Sequence, residues 1–537
     1  MFKRILIGGI ILALALGVSG CLGGGNQAEV GVHPYDYRFA DMAFPFDVRE
    51  VLGEDVELNY WLGVGRLEEG GMFAETLEAM TGIRVNFINT PLDMAQRRDA
   101  FNLLLVSGNM PDIMEYQWGD VTFVAGGPDI AIANGHIMAL NDLLDSGAAP
   151  NLRAYLDANP DIARLVRSIE GNNYVFPFLR EDHETRIFFG PMMRGDWLEE
   201  LNLEVPQTIA EWETVLTAFR DEKDATAPLS FNIDSLRFHN QFVGAFGVGL
   251  DFYVVDGVVK FGQLQPEYRD FLEVMNRWWY QGLLDNNIAT FDQMTIDANV
   301  STGRTGAGVA GVGGGIGRWL DLMEEETPGV DWVAVPYPSL VRGERAMFNG
   351  ISAIYGGSGA AISAQTRFPT LAARLLDFFY SEEGRTMASF GTEGVTFEFV
   401  NGVPRYTDFM QRNPDGFSLP EMVSRETRAA FGPLVQDPRY FAEWAARPQQ
   451  QAALAIWGNS GYEHYFLPFL RRTEEEEREY TRIMSDITTF NRENMMLFIS
   501  GQRSLTEFDD YVATLRGMNI ERAIEIQQAA YNRYRAQ

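Results

Sequence analysis

Aromatic and acidic side chains near the ends of strand-like segments could bind a ligand that has both apolar faces and hydroxyl groups. These residues are Trp61, Glu115, Tyr116 and Trp118. A flat aromatic ring packs on weakly polar C–H faces, and a planar carboxylate accepts hydrogen bonds from hydroxyls. A sugar is one kind of ligand that presents both surfaces, and paired carboxylates are also what a glycoside hydrolase uses.

Further aromatic residues are candidates for stacking on the same ligand: Trp278, Trp319, Tyr355 and Trp457. Glu393 lies in a turn between two glycines, which predicts a hydrogen bond to the ligand or across the molecule. Trp197 and Trp212 fall within helical patterns, where a tryptophan is expected in the core. Trp278 and Trp279 should point in different directions because they are neighbours on a helix.

The composition argues against several other classes of protein. The 537 residues include 43 Lys and Arg against 74 Asp and Glu, and the net charge of −31 disfavours nucleic-acid binding. The single cysteine, Cys21, leaves no intramolecular disulfide. The histidines lack paired ligand spacing, so we expect no metal site. The glycine-rich run 306–317 lacks the context of a dinucleotide site and should pack closely on a ligand or another strand.

Alternating strand and helix patterns follow one another in the first part of the chain. Strand-like runs at 57–62, 84–88 and 111–115 are separated by helical spacing at 72–80 and 97–105. This order predicts a parallel sheet covered by helices. Ligands bind such sheets beyond the carboxyl ends of the strands, where the candidates Trp61, Glu115, Tyr116 and Trp118 fall.

The amino terminus predicts export and a lipid anchor. Lys3 and Arg4 precede an apolar run, Ile5 to Val18, of the length typical of a signal peptide. The sequence Val18-Ser-Gly-Cys21 resembles a bacterial lipobox, which implies cleavage after residue 20 and lipidation of Cys21. We therefore expect a signal peptide at 1–20, a lipidated flexible tether at 21–46, and a location on the extracytoplasmic face of a bacterial membrane.

Ordered segments along the mature chain resemble the family 1 extracellular solute-binding proteins of ABC importers, in the lipoprotein branch associated with complex sugars. The segments are Ser107–Ile113, Gly135–Leu144, Gly171–Pro177, Arg194–Leu201, Val205–Trp212, Gln281–Asp285, Pro328–Trp332 with Val335–Pro336, Gly391–Val395, Leu505–Tyr511 and Ala530–Tyr534. No single segment is specific to the family, whereas the ordered set is.

The resemblance implies an α/β fold with two lobes, the type II periplasmic-binding-protein arrangement, and a ligand cleft between the lobes. The N-terminal lobe would comprise 47–177 and 350–397, and the C-terminal lobe 178–349 and 398–537. By analogy the chain would cross between lobes near 174–181, 347–354 and 391–400. The side chains expected to face the cleft from these crossovers are Arg180, Glu181, His183 and Asn349.

The resemblance also implies that the protein captures a sugar, expected to be an oligosaccharide, and delivers it to the permease subunits of an ABC importer. We expect a monomer with no enzymatic activity, no cofactor and no nucleic-acid partner. Residues 221–229 lack the glycine and the spaced oxygens of the calcium loop found in many relatives, so we expect no calcium there. A binder of peptides or other solutes, a surface glycan adhesin and a glycoside hydrolase remain as alternatives.

Overall fold

The computed structural model describes residues 37–536, apart from residues 69, 121–122, 188, 239, 325–326 and 460–463. The predicted signal peptide, the predicted lipidation site Cys21 and the first part of the predicted tether lie outside the described residues. The strands are β1 (Glu57–Trp61), β2 (Arg84–Ile88), β3 (Ile113–Tyr116), β4 (Phe176–Pro177), β5 (Phe189–Arg194), β6 (Leu229–Ser230), β7 (Phe252–Val255), β8 (Val258–Phe261), β9 (Ala307–Gly311), β10 (Trp332–Ala334), β11 (Gly359–Ile362), β12 (Phe397–Val400) and β13 (Val403–Tyr406).

Two larger sheets organise the fold. The first sheet has the order β2-β1-β3-β11-β4, and the second has the order β10-β5-β9-β6. In the first sheet β1 pairs in parallel with both β2 and β3, which confirms the predicted parallel arrangement. The strand β11 returns antiparallel between β3 and β4. The hairpins β7–β8 and β12–β13 are separate two-stranded sheets.

Helices cover the sheets and make up the elements that follow β13. They are α1 (Val48–Leu52), α2 (Met72–Thr81), α3 (Met94–Ser107), α4 (Gly127–Ala133), α5 (Asn141–Asp145), α6 (Pro150–Ala158), α7 (Pro160–Val166), α8 (Gly195–Glu200), α9 (Ile209–Glu222), α10 (Ser235–Phe238), α11 (Pro266–Tyr280), α12 (Gln293–Ser301), α13 (Arg318–Glu324), α14 (Pro369–Phe378), α15 (Glu382–Phe390), α16 (Asp408–Gln411), α17 (Leu419–Glu426), α18 (Pro438–Trp444), α19 (Pro448–Trp457), α20 (Glu474–Ile499), α21 (Phe508–Gly517) and α22 (Ile520–Ala536). Within the described residues, none of these helices has the length and apolar composition needed to cross a membrane.

Local sequence signals explain where α9 begins and which of its residues are buried. Thr208 accepts a hydrogen bond from the Glu211 N–H at 3.2 Å, and the Glu211 carboxylate accepts one from the Thr208 N–H at the same distance. This capping box satisfies backbone donors that the first turn would otherwise leave unpaired. Trp212 on α9 is fully buried and Trp197 on α8 is 8% exposed, so both are core residues as predicted.

The glycine-rich run packs closely on its neighbours, as its composition predicted. Residues 307–311 form β9, and residues 312–317 form a single π-helical turn. A Cβ on Gly308 would lie 2.9 Å from the Ser230 carbonyl oxygen of the neighbouring strand, and one on Gly313 would lie 2.0 Å from the Trp444 ring. Larger residues at these two positions would therefore force the strand or the ring to move.

The chain passes from one sheet to the other near the first two expected crossovers. It leaves the first sheet after Pro177 at the end of β4 and enters the second with β5 at Phe189. It leaves the second sheet after Ala334 at the end of β10 and re-enters the first at Gly359 with β11. Residues 335–358 thus form the return connection.

The third passage lies later in the chain than expected. Arg428, beyond the expected crossover at 391–400, forms a buried ion pair with Glu115 of β3 and so remains attached to the first sheet. Arg447 is paired with Asp321 of α13, the helix that follows the second-sheet strand β9 and its π-helical turn. The contacts therefore place the change of sheet between 428 and 447. The hairpin β12–β13 and the helices α16 and α17 precede it.

Candidate functional site

A cavity opens where the parallel strands β1 and β3 end. It encloses about 600 Å³ including its mouth, and we call it the strand-end cavity. Residues that line it include Gly63, Arg97, Glu115, Tyr116, Ser358 and Phe431. This is the edge of an α/β sheet at which ligands are generally bound. Of the four candidates expected at this edge, Glu115 and Tyr116 line the cavity.

Glu115 is the central acid of the strand-end cavity and is only 5% exposed. Its carboxylate accepts hydrogen bonds from the Tyr60 hydroxyl at 2.6 Å and the Gly63 N–H at 3.2 Å. The Arg428 guanidinium is paired with the same carboxylate and donates to the Val64 carbonyl at 2.7 Å. A buried carboxylate needs such partners, because its desolvation is otherwise unfavourable by several kcal/mol. The segments that hold the two charges are thereby fixed together.

The loop that follows β1 runs directly over β3. A Cβ on Gly63 would lie 2.8 Å from the Glu115 carbonyl oxygen, which only the absence of a side chain avoids. This close approach brings the Gly63 N–H within reach of the Glu115 side chain. The glycine is therefore part of the geometry that holds the carboxylate.

An aromatic wall stands beside the carboxylate. The Tyr116 ring stacks on Phe101 of α3 with centroids 3.7 Å apart and planes inclined by 16°, and it meets Phe123 edge-on at 5.9 Å. The Tyr116 hydroxyl is buried and has no hydrogen-bond partner among the described residues. Burial raises the pKa of Tyr116, and the positive charges of Arg98 and Arg97 oppose that rise. The phenol is therefore a neutral donor that a ligand oxygen could satisfy.

A second cavity adjoins the first at Phe431 and encloses about 560 Å³. We call it the Trp444 cavity; Gly65, Val423, Arg428, Phe431, Tyr440 and Trp444 are among its lining residues. The half-buried Trp444 ring lies against Gly313 of the π-helical turn after β9. One wall is therefore formed by the loop that follows β1 of the first sheet. On the other wall, the Trp444 ring contacts the π-helical turn that follows β9 of the second sheet.

Two larger cavities are both lined in part by the segment 464–472. They enclose about 1180 and 1270 Å³ and share Tyr355, Phe466, Pro468 and Phe469. Tyr355 was predicted as a ligand residue and lies at both cavities, with its hydroxyl 2.9 Å from that of Tyr174. The hydroxyl of Tyr174 also accepts from Arg471 at 3.0 Å. Tyr355 is 1% exposed, so its ring contributes mainly to packing.

Six of the predicted site residues lie in the core, and a ligand role for them stays a prediction: Trp61, Trp118, Trp278, Trp319, Asn349 and Trp457. The side-chain polar groups of five of them, all but Trp61, have hydrogen-bond partners inside the protein. Trp118 donates to the Met114 carbonyl at 2.9 Å, and Trp319 donates to Asp297 at 3.0 Å. Trp278 is fully buried and its neighbour Trp279 half-buried, so the predicted division of this pair is confirmed.

Asn349 and Trp457 are joined to each other within that core. The Asn349 side-chain amide donates to the Trp457 carbonyl at 2.8 Å, and the Trp457 indole donates to the carbonyls of Pro191 and Val335 at 3.2 Å. Asn349 is therefore a packing residue of the return connection. Trp61 packs its ring 5.8 Å from Tyr116 and supports the cavity wall from behind.

Four other predicted residues lie outside the two smaller cavities. Glu181, His183 and Glu393 are exposed. Glu181 accepts a hydrogen bond from Tyr155 at 3.0 Å, and the His183 ring lies 3.3 Å from the Gly458 carbonyl. Arg180 is half-buried, its guanidinium is 4.8 Å from the centre of the Phe178 ring, and burial lowers its pKa to about 10. A ligand role for these four stays a prediction.

Sequence reasoning missed the residues that complete the two smaller cavities. These are Arg97, Arg428, Phe431 and Trp444. Each lies in a helical or loop segment with no local motif, and Arg428 reaches Glu115 across 313 positions of sequence. The signal that could have pointed to these residues is residue type, because Arg and Trp are among the residues that most often dominate binding surfaces.

The arrangement can bind a neutral or weakly charged polyhydroxylated molecule. Aromatic faces come from Tyr116, Phe431 and Trp444, and planar polar groups come from Glu115 and Arg97. In the described part of the chain, no group of three or more His, Cys, Asp or Glu side chains could hold a metal ion. The site therefore offers stacking and hydrogen bonding.

The chain is similar in sequence to known solute-binding proteins. A family model described as bacterial extracellular solute-binding protein matches residues 71–386. The chain is 23% identical to the fructooligosaccharide ABC transporter substrate-binding protein FusA of Streptococcus pneumoniae, over 100% of this chain and 99% of that protein. It is 24% identical to the polygalacturonan/rhamnogalacturonan-binding protein YtcQ of Bacillus subtilis, over 41% of this chain and 43% of that one.

A solved structure shares the fold. It is an HMO-binding ABC-transporter-associated solute-binding protein from Bifidobacterium longum infantis, with a TM-score of 0.71 at 19% identity, covering 89% of this chain and 99% of that one. The fold is accordingly the two-lobe α/β arrangement that the resemblance implied. The family model spans more than half of the 537 residues. The chain belongs to the bacterial extracellular solute-binding protein family.

Proposed function

We propose that the protein captures an oligosaccharide outside the cytoplasm and delivers it to the permease of an ABC importer. The observation that carries the proposal is the similarity to FusA along the whole length of both chains. The names of FusA and of the Bifidobacterium protein both state an ABC transporter and a sugar ligand. Both are named as binding proteins, and we propose binding without catalysis for this chain.

The proposed binding site is the strand-end cavity together with the Trp444 cavity. Glu115 and Tyr116 would meet hydroxyl groups of the sugar, while Phe431 and Trp444 would stack on its C–H faces. The Trp444 cavity lies between the loop after β1 and a ring that rests on Gly313. A sugar that contacts both walls would favour a closed arrangement of the lobes, because it binds that arrangement better than the open one.

The proposed lobes are discontinuous in sequence. We retain 47–177 and 350–397 in the N-terminal lobe and 178–349 in the C-terminal lobe. We assign residues 398–443 to the N-terminal lobe instead of the C-terminal lobe. Glu443 accepts a hydrogen bond from the Tyr406 N–H at 3.1 Å, and the Tyr406 hydroxyl donates to the Ser389 carbonyl at 2.8 Å. The helices from α19 onward stay in the C-terminal lobe.

The proposed location is the outer face of a bacterial membrane, held by a lipid on Cys21. The lipobox-like sequence and the glycine-rich residues after it support this location. The Cys21→Ser variant of the full chain should move from the membrane fraction to the soluble extracytoplasmic fraction, because one thioether-linked diacylglycerol provides the anchor. Equal membrane retention of the variant and the unaltered protein would contradict the anchor without affecting the sugar-binding proposal.

Binding is tested with the chain lacking residues 1–20 and carrying Cys21→Ser, titrated with a panel of neutral and acidic oligosaccharides in a calorimeter. We expect saturable binding of at least one sugar, recovered intact. Recovery of shortened sugars would indicate a glycoside hydrolase. Binding of a peptide panel in place of the sugars would indicate a different solute. Binding only to polymers or cells would indicate an adhesin.

Trp444 supplies the matched comparison for that experiment. The Trp444→Ala variant should bind the identified sugar about 10-fold more weakly, a loss of ~1.4 kcal/mol from one stacked ring. The control is Trp279→Ala, which removes another half-buried indole, one that lines neither of the two smaller cavities. Equal losses in both variants would place the binding site elsewhere.

A further inference from the structure

The Arg97 guanidinium lines the strand-end cavity, and one of its edges makes no hydrogen bond to the described residues. Its Nε donates to the Pro91 carbonyl at 3.0 Å and one Nη donates to the Leu92 carbonyl at 2.6 Å. These two bonds fix the half-buried guanidinium on the loop that leads into α3. Within the described residues Arg97 has no carboxylate within ion-pair distance, and its other Nη has no protein acceptor. An arginine with a fixed plane and a free edge is suited to planar anions.

The other charges at this cavity cancel. Among the described residues that line the strand-end cavity, Glu115 is the single acidic one, and its charge is paired with that of Arg428. Arg97 therefore leaves a local positive charge in a chain whose net charge is −31. Such a local excess is not required by a neutral sugar.

The same cavity offers a second donor near that charge. The Tyr116 hydroxyl is buried without a partner in the part of the chain that the structure describes, and Tyr116 lines the cavity together with Arg97. A buried hydroxyl without a partner is unfavourable by about 1–3 kcal/mol, and an oxygen of a bound ligand would remove that penalty. Gln117 and Ser358 add neutral polar groups to the lining.

We propose that the strand-end cavity contains a carboxylate subsite, in which Arg97 binds the acid group of a uronic-acid residue and Tyr116 donates to an adjacent oxygen. The preferred ligand is then an acidic oligosaccharide. The proposal rests on the proposed sugar-binding function and adds the chemical class of the sugar. It concerns contacts of this chain's own side chains, and no reaction is involved.

The test uses pairs of ligands that differ only at the carboxyl group. Uronic-acid oligosaccharides of two to four units, with α and β linkages, are each compared with the same oligosaccharide after reduction of its carboxylates to primary alcohols. Neutral oligosaccharides complete the panel. The chain lacking residues 1–20 should bind an acidic member about 10- to 100-fold more tightly than its reduced twin, the range expected for a charge-assisted pair.

Variants of Arg97 separate contact from general charge. Arg97→Gln should reduce affinity for the acidic sugar to about that for the reduced twin, and Arg97→Lys should give an intermediate value because it keeps the charge but loses the planar fork. The control is Arg367→Gln, which changes the net charge equally. Arg367 is 72% exposed and follows Thr366, which bonds to Asp112 at the opposite end of β3. This control should change the affinity by less than twofold.

Each outcome decides one question. Tighter binding of acidic sugars that is lost in Arg97→Gln supports the subsite. Equal or tighter binding of the neutral twins, or equal losses in Arg97→Gln and Arg367→Gln, overturns the subsite and leaves the sugar-binding function intact. If no acidic or neutral sugar binds the unaltered protein, and none of them changes its thermal midpoint, the proposed function is rejected.

Discussion

Removing the cation from the buried ion pair of the strand-end cavity should strongly destabilise the protein. The side chains of Arg428 and Glu115 are 4% and 7% exposed. The Arg428→Met variant keeps much of the apolar volume but leaves the Glu115 carboxylate buried with only the Tyr60 hydroxyl and the Gly63 N–H as donors. An unpaired charge of this kind destabilises a fold by about 3–5 kcal/mol.

The expected magnitude can be read as a shift in thermal midpoint. For a cooperative unit of 150–250 residues, about 2–4 °C accompanies each kcal/mol, so Arg428→Met should lower the midpoint by roughly 6–20 °C. The matched control is Arg412→Met. Arg412 and Asp408 form a pair 3.9 Å apart with side chains 81% and 83% exposed, and such pairs contribute roughly 0–1 kcal/mol.

A double-mutant cycle refines the test. Adding Glu115→Gln to Arg428→Met removes the buried charge, so the double variant should be more stable than Arg428→Met alone. Circular dichroism melts of the unaltered protein, Arg428→Met, Glu115→Gln and the double variant supply the cycle. A midpoint change below about 2 °C for Arg428→Met, or strictly additive effects of the two substitutions, would refute the claim that these charges are buried against each other.

Three further predictions concern other parts of the fold. Gly313→Ala should lower the free energy of unfolding in urea by about 1–3 kcal/mol, because its Cβ would lie 2.0 Å from the Trp444 ring. Gly317→Ala should be tolerated, because its Cβ would lie 3.4 Å from the Gln450 side chain. Equal effects of the two substitutions would contradict this prediction. Burial raises the pKa of Asp377 from 3.8 to about 6, so its contribution to stability is greatest at low pH and is lost as the pH rises through 6. Between pH 4 and 7 the free energy of unfolding of the unaltered protein should therefore fall by about 2 kcal/mol relative to that of Asp377→Asn. Parallel pH profiles of the two proteins would refute the assignment. Thr208→Ala should reduce the free energy of unfolding by about 1 kcal/mol through loss of the α9 cap, whereas Thr489→Ala, within α20, should change it by less than 0.5 kcal/mol; a similar loss in both would argue against the cap.

Elements defined by local patterns could be predicted from the sequence. The runs at β1, α2 and β2 alternate or repeat with the correct period, and glycines end the first two, so the predicted bounds agree with the structure within one residue. The capping box at Thr208 is equally local. The antiparallel return of β11 between β3 and β4 depends on pairing across more than 180 positions, and no local pattern reveals such a pairing.

The site was only partly predictable for the same reason. Glu115 and Tyr116 follow from the rule that ligands bind at strand ends, and both line the strand-end cavity. Whether an aromatic ring is buried depends on its tertiary neighbours. Trp118 follows a strand, yet its indole finds the Met114 carbonyl and is fully buried, while Trp444 in a short helix remains half-buried beside Gly313.

The position of Trp444 on the third passage has a mechanical implication. The residue before it, Glu443, is bonded to the hairpin β12–β13, and Arg447 shortly after it is paired with α13. The indole thus lies in the segment where the chain passes from the first sheet to the second. If the proposed solute stacks on that ring, it contacts the segment that joins the proposed lobes, so that ligand binding would act directly on the connection between them.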